Sequence, residues 1–157
     1  MATRINDKET AIDHSVLLKA ASAARENAYA PFSGFRVGAA LQARDGQIFT
    51  GCNIENATLG LTMCAERVAL FKAISEGNPQ FSRIAVVADT KEPTPPCGAC
   101  RQLLWEFGRD IEVVLGNPEG EQACYRLKEL FPQPFDQGAL EAKSTEVSSC
   151  DRKKVDI

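Results

Sequence analysis

The 157-residue sequence predicts an α/β fold, a three-layer α/β/α arrangement around a mixed central sheet of about five strands. Three observations carry that expectation. Two continuous apolar runs, RIAVVAD flanked by helical segments and IEVVLG following a helix, read as strands covered on both faces. The segment FRVGAALQA alternates strictly, and Asp45-Gly46 then signals a hairpin into QIFTGCNIE, so an antiparallel pair precedes those runs. Helix-period segments separate the remaining strands and place their connections over the sheet faces.

Taken in chain order, a helix is predicted from about Glu9 to Tyr29, with Ile12, Val16, Ala20, Ala23 and Ala24 on its apolar stripe and Pro31 ending it. In the first strand Phe35, Val37, Ala39, Leu41 and Ala43 share one face, which makes Phe35 a core residue by pattern. CAERVALFKAISEG reads as a second helix, with Thr62 placed to cap its start and Gly77 its end. RIAVVAD follows as a buried strand, CGACRQLLWEFG as a helix closing at Gly108, and IEVVLG as another buried strand. Asn117-Pro118-Glu119-Gly120 is a turn, QACYRL an edge strand, and LKELFPQPF a short helical piece stopped by proline. Residues 1–137 make one domain. The 138–157 tail, with four acids, four bases and few large apolar residues after Gly138, is expected to be poorly ordered.

Net charge is −3 with no basic stripe, which argues against a nucleic-acid partner and for a small one. No apolar run approaches the roughly 20 residues a membrane span needs, and the N-terminus has no apolar secretion segment, so a cytoplasmic location without membrane contact is expected. Six cysteines stand at 52, 64, 97, 100, 124 and 150, and CGAC in such a compartment points to a metal or redox site rather than disulfides. The single histidine, His14, falls in a predicted surface helix and is assigned no chemistry, because histidine chemistry ordinarily comes with a carboxylate or thiol partner.

Cys97 and Cys100 are spaced i, i+3, so both sulfurs fall on one face of a helix's first turn, with Pro96 as an entry residue. Cys64 also sits at a helix start. Helix N-termini favour thiolate over thiol, and three such sulfurs converging would bind zinc while leaving a fourth position for water, whose pKa the ion lowers to near 7. Cys52, Cys124 and Cys150 are alternative fourth ligands of a closed structural site, but such a site has no task for Glu66, two residues from Cys64. Held against zinc-bound water, Glu66 can act as general base and then general acid. Arg67 can offset the surplus negative charge and donate to the ligand sulfurs, or else lie on a solvated helix face.

MCAER followed by PPCGACRQ resembles the zinc deaminases that use three cysteines and a non-ligating glutamate. The resemblance continues through FSGFRVGAAL and GCNIENAT, covers approximately Tyr29 to Phe135, and is close to the homotetrameric cytidine deaminases of nucleoside salvage. It implies a cytidine deaminase-like fold and one Zn2+ per chain on Cys64, Cys97 and Cys100. The implied reaction is hydrolytic deamination of cytidine and 2'-deoxycytidine to uridine and 2'-deoxyuridine with release of ammonia, by zinc-bound hydroxide attack on C4 with Glu66 as proton shuttle. It further implies that Asn53 and Glu55 bind the sugar, that Phe35 packs on the base and Ala65 belongs to the substrate site, and that Phe135 is contributed over the ring by a neighbouring subunit.

Two positions depart from that pattern. Phe32 stands where tyrosine is frequent, and Pro95 where serine or threonine is; a backbone carbonyl at Pro95 would still accept a bond from the base amine. Competing readings are a polynucleotide editor, disfavoured by the acidic chain and by Glu55, whose carboxylate would repel a phosphate on the sugar. A deaminase of aminonucleoside antibiotics is disfavoured by NIE. A dithiol redox protein using CGAC would leave the third thiol and Glu66 as coincidence.

Overall fold

The computed structural model describes residues 14–135 and 138. The order is α1 (Ser15–Arg25), β1 (Val37–Ala43), β2 (Ile48–Cys52), α2 (Ala65–Ser75), β3 (Phe81–Ala88), α3 (Gly98–Gly108), β4 (Glu112–Gly116), β5 (Gln122–Arg126) and α4 (Leu127–Leu130). Five strands form one mixed sheet in the order β2-β1-β3-β4-β5, with β3 and β4 parallel and every other pairing antiparallel. None of the helices among the described residues is long and apolar enough to cross a membrane.

The period-2 pleat divides the core between two faces. Ala39, Leu41, Ile84, Val86, Val113 and Leu115 point toward α2 and α3 and pack with Ala65, Ala69, Leu70 and Leu104. Ala40, Ala85, Val87 and Val114 point the other way, against Leu17 and Ala21 of α1. Helices cover both faces, as the apolar runs predict. The strand β1 therefore differs from the one-sided reading: both its faces are buried, and Phe35 precedes it and is 39% exposed rather than core.

Two glycines set how closely the helices approach. A Cβ on Gly38 would lie 2.0 Å from the Ala21 carbonyl oxygen of α1, and one on Gly51 would lie 2.5 Å from both the Ala65 oxygen and the Ala69 nitrogen of α2. Helix backbone rests directly on strand backbone at both places, which only a residue lacking Cβ permits.

Three local expectations are corrected. The first helix ends at Arg25 instead of Tyr29, because Tyr29 enters a bridge with Ile54 in which Tyr29 N–H donates to Asn53 O and Glu55 N–H to Tyr29 O. Its buried stripe is Leu17, Ala21 and Ala24: Ala24 is buried as predicted, while Val16, Ala20 and Ala23 each stand one position from the buried side, and Val16 is 60% exposed. Residues 9–13 of that helix, and the tail from 139 to 157, lie outside the described residues. Thr62 does not cap α2: Cys64 is the N-cap, while the Thr62 hydroxyl accepts the Asn56 N–H. Gly77 follows the helix as the capping pattern predicts, and Gly46 closes the β1–β2 hairpin by donating to Ala43 O.

Candidate active site

α2 and α3 present their N-termini to one another at the carboxyl end of β3, the end of a parallel pair where open α/β sheets hold ligands. Cys64 is the N-cap of α2 and Cys97 that of α3, both with extended backbone, and Cys100 lies one turn further along α3. The chain reversal before each helix brings three thiols together from segments more than thirty residues apart. The sulfurs of Cys64, Cys97 and Cys100 lie within 4.8 Å of one another, with Cys64 Sγ and Cys97 Sγ 3.9 Å apart. Cys52 and Cys124 are not in this group: Cys52 donates to Asn27 O, and Cys124 sits on β5. Cys150 lies outside the described residues.

Such a donor set fits zinc, which binds thiolates at about 2.3 Å, and three protein ligands leave one tetrahedral position open. The electrostatics favour the anionic form where it is needed. Hydrogen bonds from the Cys100 thiol and then the Arg67 guanidinium pull the Cys64 thiol down to about 5, whereas its engagement with Cys64 and its burial push the Cys100 thiol up. Arg67 is the cation of the site: its Nη2 donates to Cys64 Sγ at 3.3 Å and to Thr62 O at 3.1 Å, which ties the ligand to the loop before the helix. It is not on a solvated face.

Glu66, in the first turn of α2, is 5% exposed. Burial first, with the charge of Cys64 adding to it, raises its carboxyl to about 7. That is where a group must titrate to both take and give a proton near neutrality.

A cavity of about 290 Å³ opens beside these groups, lined by Cys64, Ala65, Glu66, Asn53, Glu55 and Phe35, with β3 and the Thr94-Pro95 segment closing it. Asn53 is 7% exposed and extends across the neck of the site: Val37 N–H donates to its Oδ1 at 2.8 Å, and its Nδ2 donates to Phe35 O at 2.7 Å. The Glu55 carboxylate accepts the backbone N–H groups of Phe32 at 2.8 Å and Ser33 at 3.2 Å, together with the Ser33 hydroxyl. These bonds, led by that of the Ser33 hydroxyl, hold its carboxyl below the usual range. Phe135 is not part of this lining; it is 60% exposed, and Gln102 of α3 holds its backbone through Nε2 to Phe135 O at 2.6 Å and Phe135 N–H to Oε1 at 3.1 Å.

Sequence reasoning missed several contributors. Val37, Met63, Val86 and Ala88 line the cavity, and nothing in their type distinguishes them from core residues. Arg101 fixes the backbone entering α3, with Nε donating to Pro96 O and Nη1 to Leu130 O, both at 2.7 Å. Arg36 and Asp89 join the entry of β1 to the exit of β3 at 3.1 Å.

Comparison with known proteins agrees with this geometry. Residues 11–117 match the family model described as the cytidine and deoxycytidylate deaminase zinc-binding region. A cytidine deaminase of Halalkalibacterium halodurans is 54% identical over 125 residues, 79% of this chain and 95% of that protein. A second, from Sporosarcina psychrophila, is 47% identical over 82% of this chain and 96% of its own length. The crystal structure of a cytidine deaminase from Burkholderia pseudomallei superposes with a TM-score of 0.76 at 50% identity, covering 79% of this chain and all of the other. With three converged thiols for the metal and a match spanning the whole site, the chain belongs to the cytidine and deoxycytidylate deaminase zinc-binding family and is a zinc-dependent enzyme with one such site.

Proposed function

We propose that this chain deaminates both cytidine and 2'-deoxycytidine hydrolytically, giving uridine and 2'-deoxyuridine with release of ammonia, in pyrimidine salvage in the cytoplasm. The observation that carries the reading is a buried carboxyl, Glu66, beside a three-thiol metal set at the floor of a cavity sized for a nucleoside. When bound, zinc supplies a Lewis acid that makes water a nucleophile at neutral pH. Cys64, Cys97 and Cys100 hold it.

Glu66 takes the proton of the attacking water and delivers it to N3 of the base as C4 becomes tetrahedral; it then takes the proton of the new C4 hydroxyl, which becomes the carbonyl, and gives it to the departing amino group. A carboxyl raised to about 7 is suited to both directions of transfer. Asn53 accepts from Val37 N–H through Oδ1 and spends one Nδ2 hydrogen on Phe35 O, and its second Nδ2 hydrogen is the donor for a sugar hydroxyl. Glu55, an acceptor anchored by the Phe32–Ser33 turn, takes the bond from the other side of the same hydroxyl. Phe35 and Ala65 pack on the base. Phe135, its backbone held by Gln102 of α3, reaches over the ring of a neighbouring subunit's site in a homotetramer; Phe32, Leu59 and Leu61 are exposed apolar residues as well.

Glu66→Gln tests the centre of this reading. The variant should keep its zinc and lose about 10²–10⁴-fold in turnover, the usual worth of a positioned acid–base group. Near-normal conversion of cytidine, followed by ultraviolet absorbance, removes Glu66 from the mechanism. Parallel assays on 2'-deoxycytidine and on a short single-stranded oligonucleotide define the substrate class.

A further inference from the structure

The one histidine acquires its missing partners through the fold. His14 Nε2 lies 3.1 Å from Glu112 Oε2, although 98 positions separate the two residues. The β4–β5 register, with Val114 opposite Cys124 and Glu112 opposite Arg126, puts Glu112 and Cys124 on the same sheet face, the one α1 covers. His14, at the N-cap of α1, reaches down onto that face. The ligand atoms of His14, Glu112 and Cys124 all lie within 4.8 Å of one another.

We propose that His14, Glu112 and Cys124 form a second divalent-metal site of the zinc type, on the sheet face away from the three-thiol centre. An imidazole, a carboxylate and a thiolate are the donors zinc takes, and with bonds of about 2.0 to 2.3 Å a tetrahedral ion sets its ligand atoms roughly 3.5 Å apart. The His14–Glu112 edge, 3.1 Å, is close to that length, and the thiol, within 4.8 Å of both, is in reach by a side-chain adjustment. Neutral imidazole with two anionic ligands balances the charge of the dication. His14 and Glu112 each keep 21% of their side-chain surface open, and the group borders a cavity of about 780 Å³ that also takes in Leu18, Val114 and Gln122, so ion and water have access. Arg83 Nη1 stands 3.6 Å from the same Glu112 oxygen and competes with the ion for it. The site is accordingly weaker than the thiol cluster.

Zinc-loaded protein dialysed against buffered micromolar zinc should hold two equivalents per chain. His14→Ala and Cys124→Ser should each return to one, with cytidine turnover unchanged. Cobalt(II) added to the zinc-holding protein should give a thiolate charge-transfer band that Cys124→Ser abolishes. Glu112→Gln, which keeps side-chain volume, serves if either other variant fails to fold. One equivalent in the parent protein, or a second that persists in the variants, overturns the proposal, and neither result touches the deaminase reading.

Discussion

Replacing Gly51 with alanine perturbs the catalytic helix through its backbone, without altering a side chain of the site. The added Cβ meets the Ala65 oxygen and Ala69 nitrogen at 2.5 Å and the Val68 Cβ at 2.9 Å, where ordinary contact begins at 3.4 Å. The first two are backbone atoms, which cannot turn aside, so α2 must lift from β2 by the difference, 0.9 Å. That shift falls on the turn carrying Cys64 and Glu66. Overpacking of this kind costs about 1–3 kcal/mol of stability, and a displacement near 1 Å at reacting groups costs about 10²-fold in rate. The Gly51→Ala protein should therefore bind zinc, melt at lower temperature and turn over cytidine about 100-fold more slowly. Metal content, a thermal melt and initial rates by ultraviolet absorbance measure the three quantities. Gly60→Ala is the control, since a Cβ there meets nothing within 4 Å. Full kcat and an unchanged melt for Gly51→Ala would refute the claim that glycine contact sets the position of α2.

Three further outcomes follow from the same geometry. Arg67→Ala removes the donor to Cys64 Sγ and Thr62 O and should weaken zinc retention about 10- to 100-fold, the usual cost of losing a partner of a metal ligand, read by competition with a chelator; retention equal to the parent would mean the guanidinium does not support the ligand. Glu55→Gln should lower kcat/KM for cytidine by about 10-fold or more, while activity on free cytosine, which has no sugar, stays where it was; an equal loss on both would point to the Phe32–Ser33 turn instead. In metal-free protein, Glu66 titrates near 7 when folded and near 4.5 when unfolded, so the folded state binds the extra proton between those values and stability falls as pH rises through them, levelling above about 7. The loss amounts to about 3 kcal/mol and is absent in Glu66→Gln. The depressed Cys64 thiol contributes a slope of opposite sign in both proteins, so the Glu66 contribution is read from the difference between their profiles. Parallel urea-denaturation profiles against pH would show that burial does not raise this carboxyl.

Each half of the metal set is legible because its geometry is local, whereas the convergence of Cys64 with Cys97 and Cys100 across 33 positions is tertiary. Cys97 and Cys100 need only one helical turn to share a face, and an N-cap position follows from the break before each helix. Glu66 was readable from its distance to Cys64 for the same reason. Period-2 alternation, by contrast, says which residues share a face but not where the strand begins, so it carried Phe35 into the core when it belongs to the cavity wall. The alanine-rich first helix misled by one position because its small residues give little contrast around the helix axis; the larger Leu17 fixes the buried side. The resemblance gives Asn53 only a sugar to bind, whereas its bonds to Phe35 and Val37 depend on a segment 18 and 16 positions earlier that the β1–β2 pairing brings beside it.

By itself, then, the chain's order of apolar runs and helix starts determines a layered sheet with three sulfurs and an acid at two helix ends, because periodicity and capping act over a few residues. What tertiary packing decided is everything that needs two distant segments in register. It chose the approach of α2 to Gly51, gave Arg67 a sulfur to hold, and set His14 against Glu112 and Cys124. Distances between elements are set by close packing of whole faces, and no short stretch of sequence contains them.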